Sequence, residues 1–188
     1  MGGLSVSRYR MKLNLGCGRD KKTGYCNVDL YGDEFVVKHD LNKKPWPWKD
    51  GTVSEVLMHN VLEHLPDTIS VMKELYRVCE NGALVHIAVP HPRSDDFIND
   101  PTHCSPITIG QMHLFSKRVC ELTKNDANNP LAVIHNVDFE VVKDCYVIEK
   151  KWMDRVESGE ITEAFLRDAI SSCNNVVKQI EMTLKVIK

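Results

Sequence analysis

Between Val53 and Val89 the chain reads strand, helix, strand: an apolar run from Val53 to Met58, a helical repeat, and a second apolar run from Leu84 to Val89 closed by Pro90. The helical repeat puts Ile69, Met72, Leu75, Tyr76 and Cys79 on one face, with Asp67 placed to cap it and Asn81-Gly82 to end it. Strands joined in this way pair in parallel with a right-handed crossover. The pattern therefore points to an open sheet with helices packed on it, not to a set of hairpins. Met11–Leu15, Tyr25–Asp29 and Phe35–Lys38 read as three earlier, shorter strands. Asn42–Gly51 carries Pro45 and Pro47 and reads as a loop, with Trp46 and Trp48 as its apolar anchors.

The second half is less regular. Pro90–Gly110 holds Pro92, Pro101 and Pro106 without a usable period, and reads as a long ordered loop or lid. A short helix over Ser116–Lys124 is predicted next, then a polar turn over Asn125–Pro130 and a strand over Phe139–Glu149. Ile161, Ala164, Phe165, Ala169 and Ile170 mark a helix, and Ile180, Met182, Leu184 and Val186 alternate with polar residues as a last strand. The class expected is α/β. At 188 residues a single domain is expected, with 11–90 as its ligand-binding half and 91–188 as lid and C-terminal cover.

Composition narrows the function. Lys plus Arg number 24 against 26 Asp plus Glu, a formal charge of −2, and the basic doublets are scattered. That removes the electrostatic argument for a nucleic-acid binder. No apolar run approaches the roughly 18 residues of a membrane span. The opening Met1–Val6 has no apolar core of a signal peptide, and Val6 stands where a myristoylation pattern requires Ser or Thr. A cytoplasmic protein is expected. The seven cysteines form no C-x-x-C, so reduced, mostly buried thiols are expected. The eight histidines make no H-x-x-x-H or H-E-x-x-H pair, and no metal is expected.

In an open parallel sheet, ligands bind beyond the carboxyl ends of the strands. Here four of those ends carry suitable residues: Gly16-Cys17-Gly18, Asp29, His39-Asp40-Leu41, and His59-Asn60-Val61-Leu62-Glu63-His64. The glycine loop lets backbone N–H groups approach an anionic group, and Asp29 suits a ribose diol. Two familiar motifs fail. The dinucleotide fingerprint needs a third glycine where Lys21 stands, and its acidic residue should come later than Asp29. A phosphate-wrapping P-loop from Gly16 to Thr23 fails at the same Lys21.

From Leu13 to about Pro90 the chain resembles the class I, Rossmann-like S-adenosylmethionine (SAM) methyltransferases, and is most similar to small methyltransferase type 11-like proteins. The resemblance is carried by Leu13-Asn14-Leu15-Gly16-Cys17-Gly18, Tyr25-Cys26-Asn27-Val28-Asp29, His39-Asp40-Leu41, Asn60-Val61-Leu62-Glu63-His64-Leu65 and Glu74-Leu75-Tyr76-Arg77-Val78. Asp100-Pro101-Thr102-His103 and the last strand extend it. It implies a mostly parallel sheet with an antiparallel C-terminal strand, and SAM as cofactor. It also implies that the backbone of Gly16, Cys17 and Gly18 holds the methionine moiety. Asp29 would bond the ribose, Leu30 would lie against adenine, and Asp40 with the Leu41 N–H would meet the adenine edge. His59 would offer its carbonyl to the SAM amino group, with Asn60 beside it. If the acceptor must lose a proton, His64, Asp100 and His103 are the candidate catalytic residues.

Only Arg19–Gly24 and Leu30–Glu34 separate the first three strands, whereas parallel crossovers take about a dozen residues or more. The first two helices must be reduced to turns, leaving one sheet face partly bare. The Trp46/Trp48 loop, the helix near Ile161–Ile170, or a second subunit in a homodimer or partner complex is expected to cover it. With no basic tract to support RNA or DNA, the acceptor expected is a small molecule or sugar-like metabolite. The alternatives are an RNA or protein methyltransferase that needs a partner, and a non-catalytic SAM-binding assembly subunit. Bland roles compete at single positions: His64 and Glu63 could simply hold their turn, His103 could bond backbone, and Cys17 reads as a small turn residue, not a nucleophile.

Overall fold

The computed structural model describes residues 10–188 except 125 and 127. The expectations placed on Met1–Val6, and Asn125 and Ala127 of the polar turn, fall outside the described residues. Seven strands form one sheet in the order β3-β2-β1-β4-β5-β7-β6. They are β1 (Met11–Leu15), β2 (Cys26–Asp29), β3 (Val37–Lys38), β4 (Val53–His59), β5 (Cys79–Pro90), β6 (Phe139–Ile148) and β7 (Val177–Val186). The first five pair in parallel, while β7 runs antiparallel to both β5 and β6. This is the mixed Rossmann-like sheet expected, with its antiparallel C-terminal pair. No helix lies between β1 and β2 or between β2 and β3, again as expected. Among the described residues no helix is long and apolar enough to cross a membrane.

Helix α1 (Thr68–Val78) covers one face of the sheet. The Asp67 carboxylate accepts from the Ser70 N–H at 2.9 Å, which starts the helix, and Val71, Met72, Leu75 and Val78 are buried along it. They pack with Leu13, Leu15, Val28, Val56, Met58, Val85, Ile87 and the alternating Ile180, Met182, Leu184 and Val186 of β7. The helix stops earlier than expected. Cys79 is fully buried and pairs with Val53 as the first residue of β5, so sheet pairing takes over before Asn81-Gly82 is reached.

The Trp46/Trp48 loop lies on this same side. Trp46 and Trp48 are 2% and 8% exposed, and α1 holds them from behind. Glu74 accepts from the Trp46 N–H at 2.6 Å, while the Arg77 guanidinium donates to the carbonyls of Trp46 (3.0 Å) and Trp48 (2.9 Å). The loop therefore completes the α1 layer and leaves the opposite face of the sheet alone. That face is polar instead of covered. Lys12, Glu55, His86, Glu181, Thr183 and Lys185 line it, with Lys12 paired to Glu55 at 2.6 Å and the Tyr25 hydroxyl donating to Glu55 at 2.6 Å.

The lid is built from short helical turns, three of them with side-chain caps. Ser94 caps α2 (Asp95–Ile98), and Thr108 with Gln111 forms a capping box on α3 (Ile109–His113). Ser116 caps α4 (Lys117–Leu122), and α5 (Leu131–Ile134) follows. Between β6 and β7 stand α6 (Lys150–Glu157), which the charged sequence did not reveal, and α7 (Glu163–Ser172). The apolar stripe of α7 is not a core stripe: only Ala169 is buried, and Phe165 is 51% exposed. Arg93 ties the end of α7 to the segment after β5 by donating to the Ile170 and Ser171 carbonyls. The helix thus sits beside the carboxyl end of the sheet and does not cover its bare face.

Candidate active site

The carboxyl edge of β3-β2-β1-β4 gathers every residue singled out as cofactor-binding. β1 ends in a turn with φ of +64° at Gly16 and +49° at Gly18, a region open to glycine at little cost. A Cβ on Gly16 would lie 2.2 Å from Val61 Cγ2, so its absence lets the loop after β4 close in. A Cβ on Gly18 would meet nothing within 4 Å. The Gly18 N–H donates to Asp29 Oδ2 at 2.8 Å, the Tyr31 N–H reaches Asp29 Oδ1 at 3.3 Å, and the His39 N–H bonds the Asp29 carbonyl at 2.9 Å. Asp29 is thereby held in place with lone pairs to spare. Asp40 is half-buried and accepts from the Asn42 N–H at 2.9 Å, and Asn60 closes β4 with φ of +51°.

One expectation changes in detail. The Cys17 N–H is spent on the Val28 carbonyl at 3.0 Å and the Gly18 N–H on Asp29, so neither is a free donor for an anionic group. The loop offers shape and a positioned carboxylate. Leu41 is 5% exposed and Leu30 is 54% exposed, next to the exposed Tyr31 and Phe35. Burial and the nearby Asp29 carboxylate push the Cys17 thiol up, which disfavours its thiolate form.

A second cluster forms beside Asn60. The single 3-10 turn Leu62–His64 follows β4, and the segment around Cys104 is pinned to it. The Cys104 and Ser105 N–H groups both donate to the Glu63 carbonyl, at 2.9 and 3.0 Å, and the Ser105 hydroxyl donates to the Leu65 carbonyl at 2.8 Å. This brings His64, Asp100 and His103 together. His103 Nδ1 lies 2.8 Å from the Phe97 carbonyl, and its ring stacks on Phe97 and lies 4.7 Å from that of His64. His64 Nδ1 lies 2.9 Å from the Thr102 hydroxyl, which donates to Asp100 at 2.6 Å.

Glu63 is the residue the sequence reading passed over as a turn former. Its side chain is 1% exposed, and neither carboxylate oxygen has a hydrogen-bond partner. Burial pushes its carboxyl up to about 7. His103 Nε2 stands 4.0 Å from Glu63 Oε1 and 3.9 Å from Asp100 Oδ2. A cavity of about 350 Å³ opens here, lined by Asn60, Glu63, Asp96, His103, Lys178 and Gln179 among others.

Residues 13–87 match the family model described as a methyltransferase domain. The fold of the chain is that of the class I SAM-dependent methyltransferases. In fold this domain is similar to a SAM-dependent methyltransferase from Archaeoglobus fulgidus, with 20% identity and a TM-score of 0.58 over 94% of this chain and 86% of that one. Phosphoethanolamine N-methyltransferase 2 of Haemonchus contortus, in complex with SAM, matches at 13% identity and TM-score 0.55, over 95% of this chain but 49% of that one. A chain from the complex containing the Haloferax volcanii Trm112 methyltransferase activator matches at 12% identity and TM-score 0.54, over 98% and 85%. No curated protein matches the sequence. The methyltransferase domain suits SAM in its donor set: a carboxylate with free lone pairs at Asp29, open space above Gly18, and exposed apolar side chains at Leu30 and Tyr31 for a base to lie on.

Proposed function

We propose that this protein transfers the sulfonium methyl group of SAM to a small, polar, sugar-like acceptor, with 11–90 as the cofactor half and 91–188 as lid and cover of one domain. The observation that carries the reading is Asp29, locked at the end of β2 by the Gly18 and Tyr31 N–H groups on the strand edge that also carries Asp40 and Asn60. Asp29 binds the ribose hydroxyls, Leu30 packs on adenine, and Asp40 with Leu41 meets the adenine edge. The turn at Gly16, Cys17 and Gly18 shapes the space for the methionine moiety, and His59 and Asn60 close it. Bound SAM supplies an activated methyl with its leaving group already attached. The chain's own work is orientation, which is worth roughly 7–11 kcal/mol in such reactions.

The acceptor side is the cavity beside Asn60. Its volume of about 350 Å³ suits a small molecule, and its Asp96, Lys178 and His103 walls suit a polar one. His103 lines this cavity and handles the acceptor there, with Asp100 and His64 next to it outside the lining. The scattered basic residues and the polar lining give RNA no continuous footprint.

Calorimetric titration with SAM and with S-adenosylhomocysteine tests the reading. Micromolar binding of both is expected, and Asp29→Ala is expected to weaken each by tenfold or more, since charge-assisted bonds contribute about 1.5–3 kcal/mol. Unchanged affinity in Asp29→Ala would remove the ribose assignment, and no binding to the intact protein would remove the function.

A further inference from the structure

We infer that Glu63, His64 and His103 form a binding site for one divalent transition-metal cation of the zinc class, at the edge of the acceptor cavity that Glu63 and His103 line. One donor atom from each of the three lies within 4.8 Å of the others, although His103 is far from the other two in sequence. Imidazole with carboxylate is a donor set such cations favour, with bonds of about 2.0–2.2 Å. Around a tetrahedral ion two donors at that distance stand about 3.3–3.6 Å apart. The 4.0 Å between His103 Nε2 and Glu63 Oε1 is too long for a direct hydrogen bond and slightly wider than the ion needs, so binding draws the two side chains together.

The surroundings of the three side chains select the forms that ligate. His103 Nδ1 is 2.8 Å from the Phe97 carbonyl, which can only accept, so Nδ1 carries the proton and Nε2 keeps its lone pair. The Thr102 hydroxyl donates to Asp100, so His64 Nδ1 donates to it and His64 Nε2 is likewise free to ligate. A second ring nitrogen bonded to a backbone carbonyl, or to a carboxylate relay, is the usual support of a metal-bound histidine. This arrangement aims the His103 lone pair at two carboxylates, Glu63 Oε1 and Asp100 Oδ2. Like-signed groups so placed call for a positive centre between them.

Glu63 supplies an independent indication. Its carboxylate is 1% exposed, and both oxygens lack a partner, in a protein whose other buried carboxylate, Glu74, is fully bonded. Buried charges are paired or coordinate metals. Asp100, on the exposed side of His103, adds negative charge close to the ion and can take a further position. Three protein donors leave at least one position for water or an acceptor oxygen entering the cavity. His64 and His103 then act on the acceptor as ligands of the ion. That consequence rests on the proposed methyl transfer, but the site itself does not.

Chelator-treated full-length protein titrated with CoCl2 and with ZnCl2 tests the site. One equivalent of cobalt is expected to bind with visible d–d absorption and no near-ultraviolet thiolate charge-transfer band. Zinc is expected to displace it and raise the melting temperature. Glu63→Gln, which keeps the buried shape, and the half-exposed His64→Ala are each expected to weaken binding tenfold or more while the far-ultraviolet circular dichroism stays that of the wild type. A thiolate band would place the ion on cysteine and overturn the assignment, as would absence of binding or variants that bind as the wild type does. SAM titration of the same samples separates the two proposals. Metal binding without SAM binding removes the methyltransferase function and leaves the site, and SAM binding without metal binding does the reverse.

Discussion

Gly16 and Gly18 look alike in sequence, yet the structure asks different things of them. Both have positive φ, which costs an L residue about 1–2 kcal/mol. At Gly16 an added Cβ also overlaps Val61, so Gly16→Ala should lose a further 1–3 kcal/mol, roughly, by overpacking. Gly18→Ala should show the backbone cost alone. Urea unfolding of the pair measures the difference, and equal losses would mean that Val61 simply moves aside. Arg77 makes a sharper case. It donates to both Glu74 oxygens (2.9 and 2.7 Å), to Asp50 (2.6 Å) and to the two Trp-loop carbonyls, so Arg77→Ala should cost about 1.5–3 kcal/mol. These bonds, led by the one from Arg77, hold the Glu74 carboxyl below its ordinary value of 4.5. A depressed acid contributes stability that is present above the unfolded pKa and is lost as pH falls through the folded one. Wild-type stability should therefore fall more steeply below pH 4.5 than that of Arg77→Ala, by denaturant titration across that range.

At the scale of elements, α1 and the α6–α7 pair mark opposite extremes. α1 has a side-chain cap and a continuous buried stripe, and sequence periodicity found it. α6 has no buried residue and α7 has only Ala169. Elements with so little buried apolar surface open locally at low free energy. Amides of α6 and α7 should exchange hydrogen well before those of α1, as mass spectrometry of native-state exchange would show. Exchange at a common rate would mean that the pair opens only with the whole domain. The short α4 was expected over Ser116–Lys124, but α2, α3 and α5 escaped the sequence for a related reason. Each is shorter than two turns and is held by a cap or by neighbouring loops, so none carries the 3.6-residue period that a sequence scan detects.

The whole molecule is a sheet with one layer of cover. Leu13, Val56, Ile87 and Leu184 face α1 and the Trp loop, whereas His86, Thr183 and Lys185 face away. A groove of about 440 Å³ on that far side runs along Glu55, His59, His86, Lys143 and Glu181. Ile87→Ala, at 1% exposure, should cost about 2–5 kcal/mol. Leu84→Ala, at 36% exposure on the far face, should stay within about 0.5 kcal/mol, as surface changes do. A loss at Leu84 as large as that at Ile87, and dependent on protein concentration, would show that a second subunit covers this face. Thermal unfolding at two concentrations gives the answer.

Alternating and helical apolar periods made β1, β4, α1 and β7 legible, because burial on one face writes itself into residue spacing. The glycine turn, Asp29, Asp40 and Asn60 were legible for another reason: strand ends are local, and a polar residue there stands out against its apolar run. Sequence spacing likewise announced the missing first helices. Which face would be bare, and what the Trp loop would cover, depended on Glu74 and Arg77 reaching across to that loop. Spacing along α1 carries no sign of such a partner. The resemblance singled out His64 and His103, but their meeting with Glu63 was hidden by the same limit. His103 reaches Glu63 only because two backbone N–H groups pin its loop to the turn after β4, and contact between segments so far apart is decided by packing, not by the residues at either end.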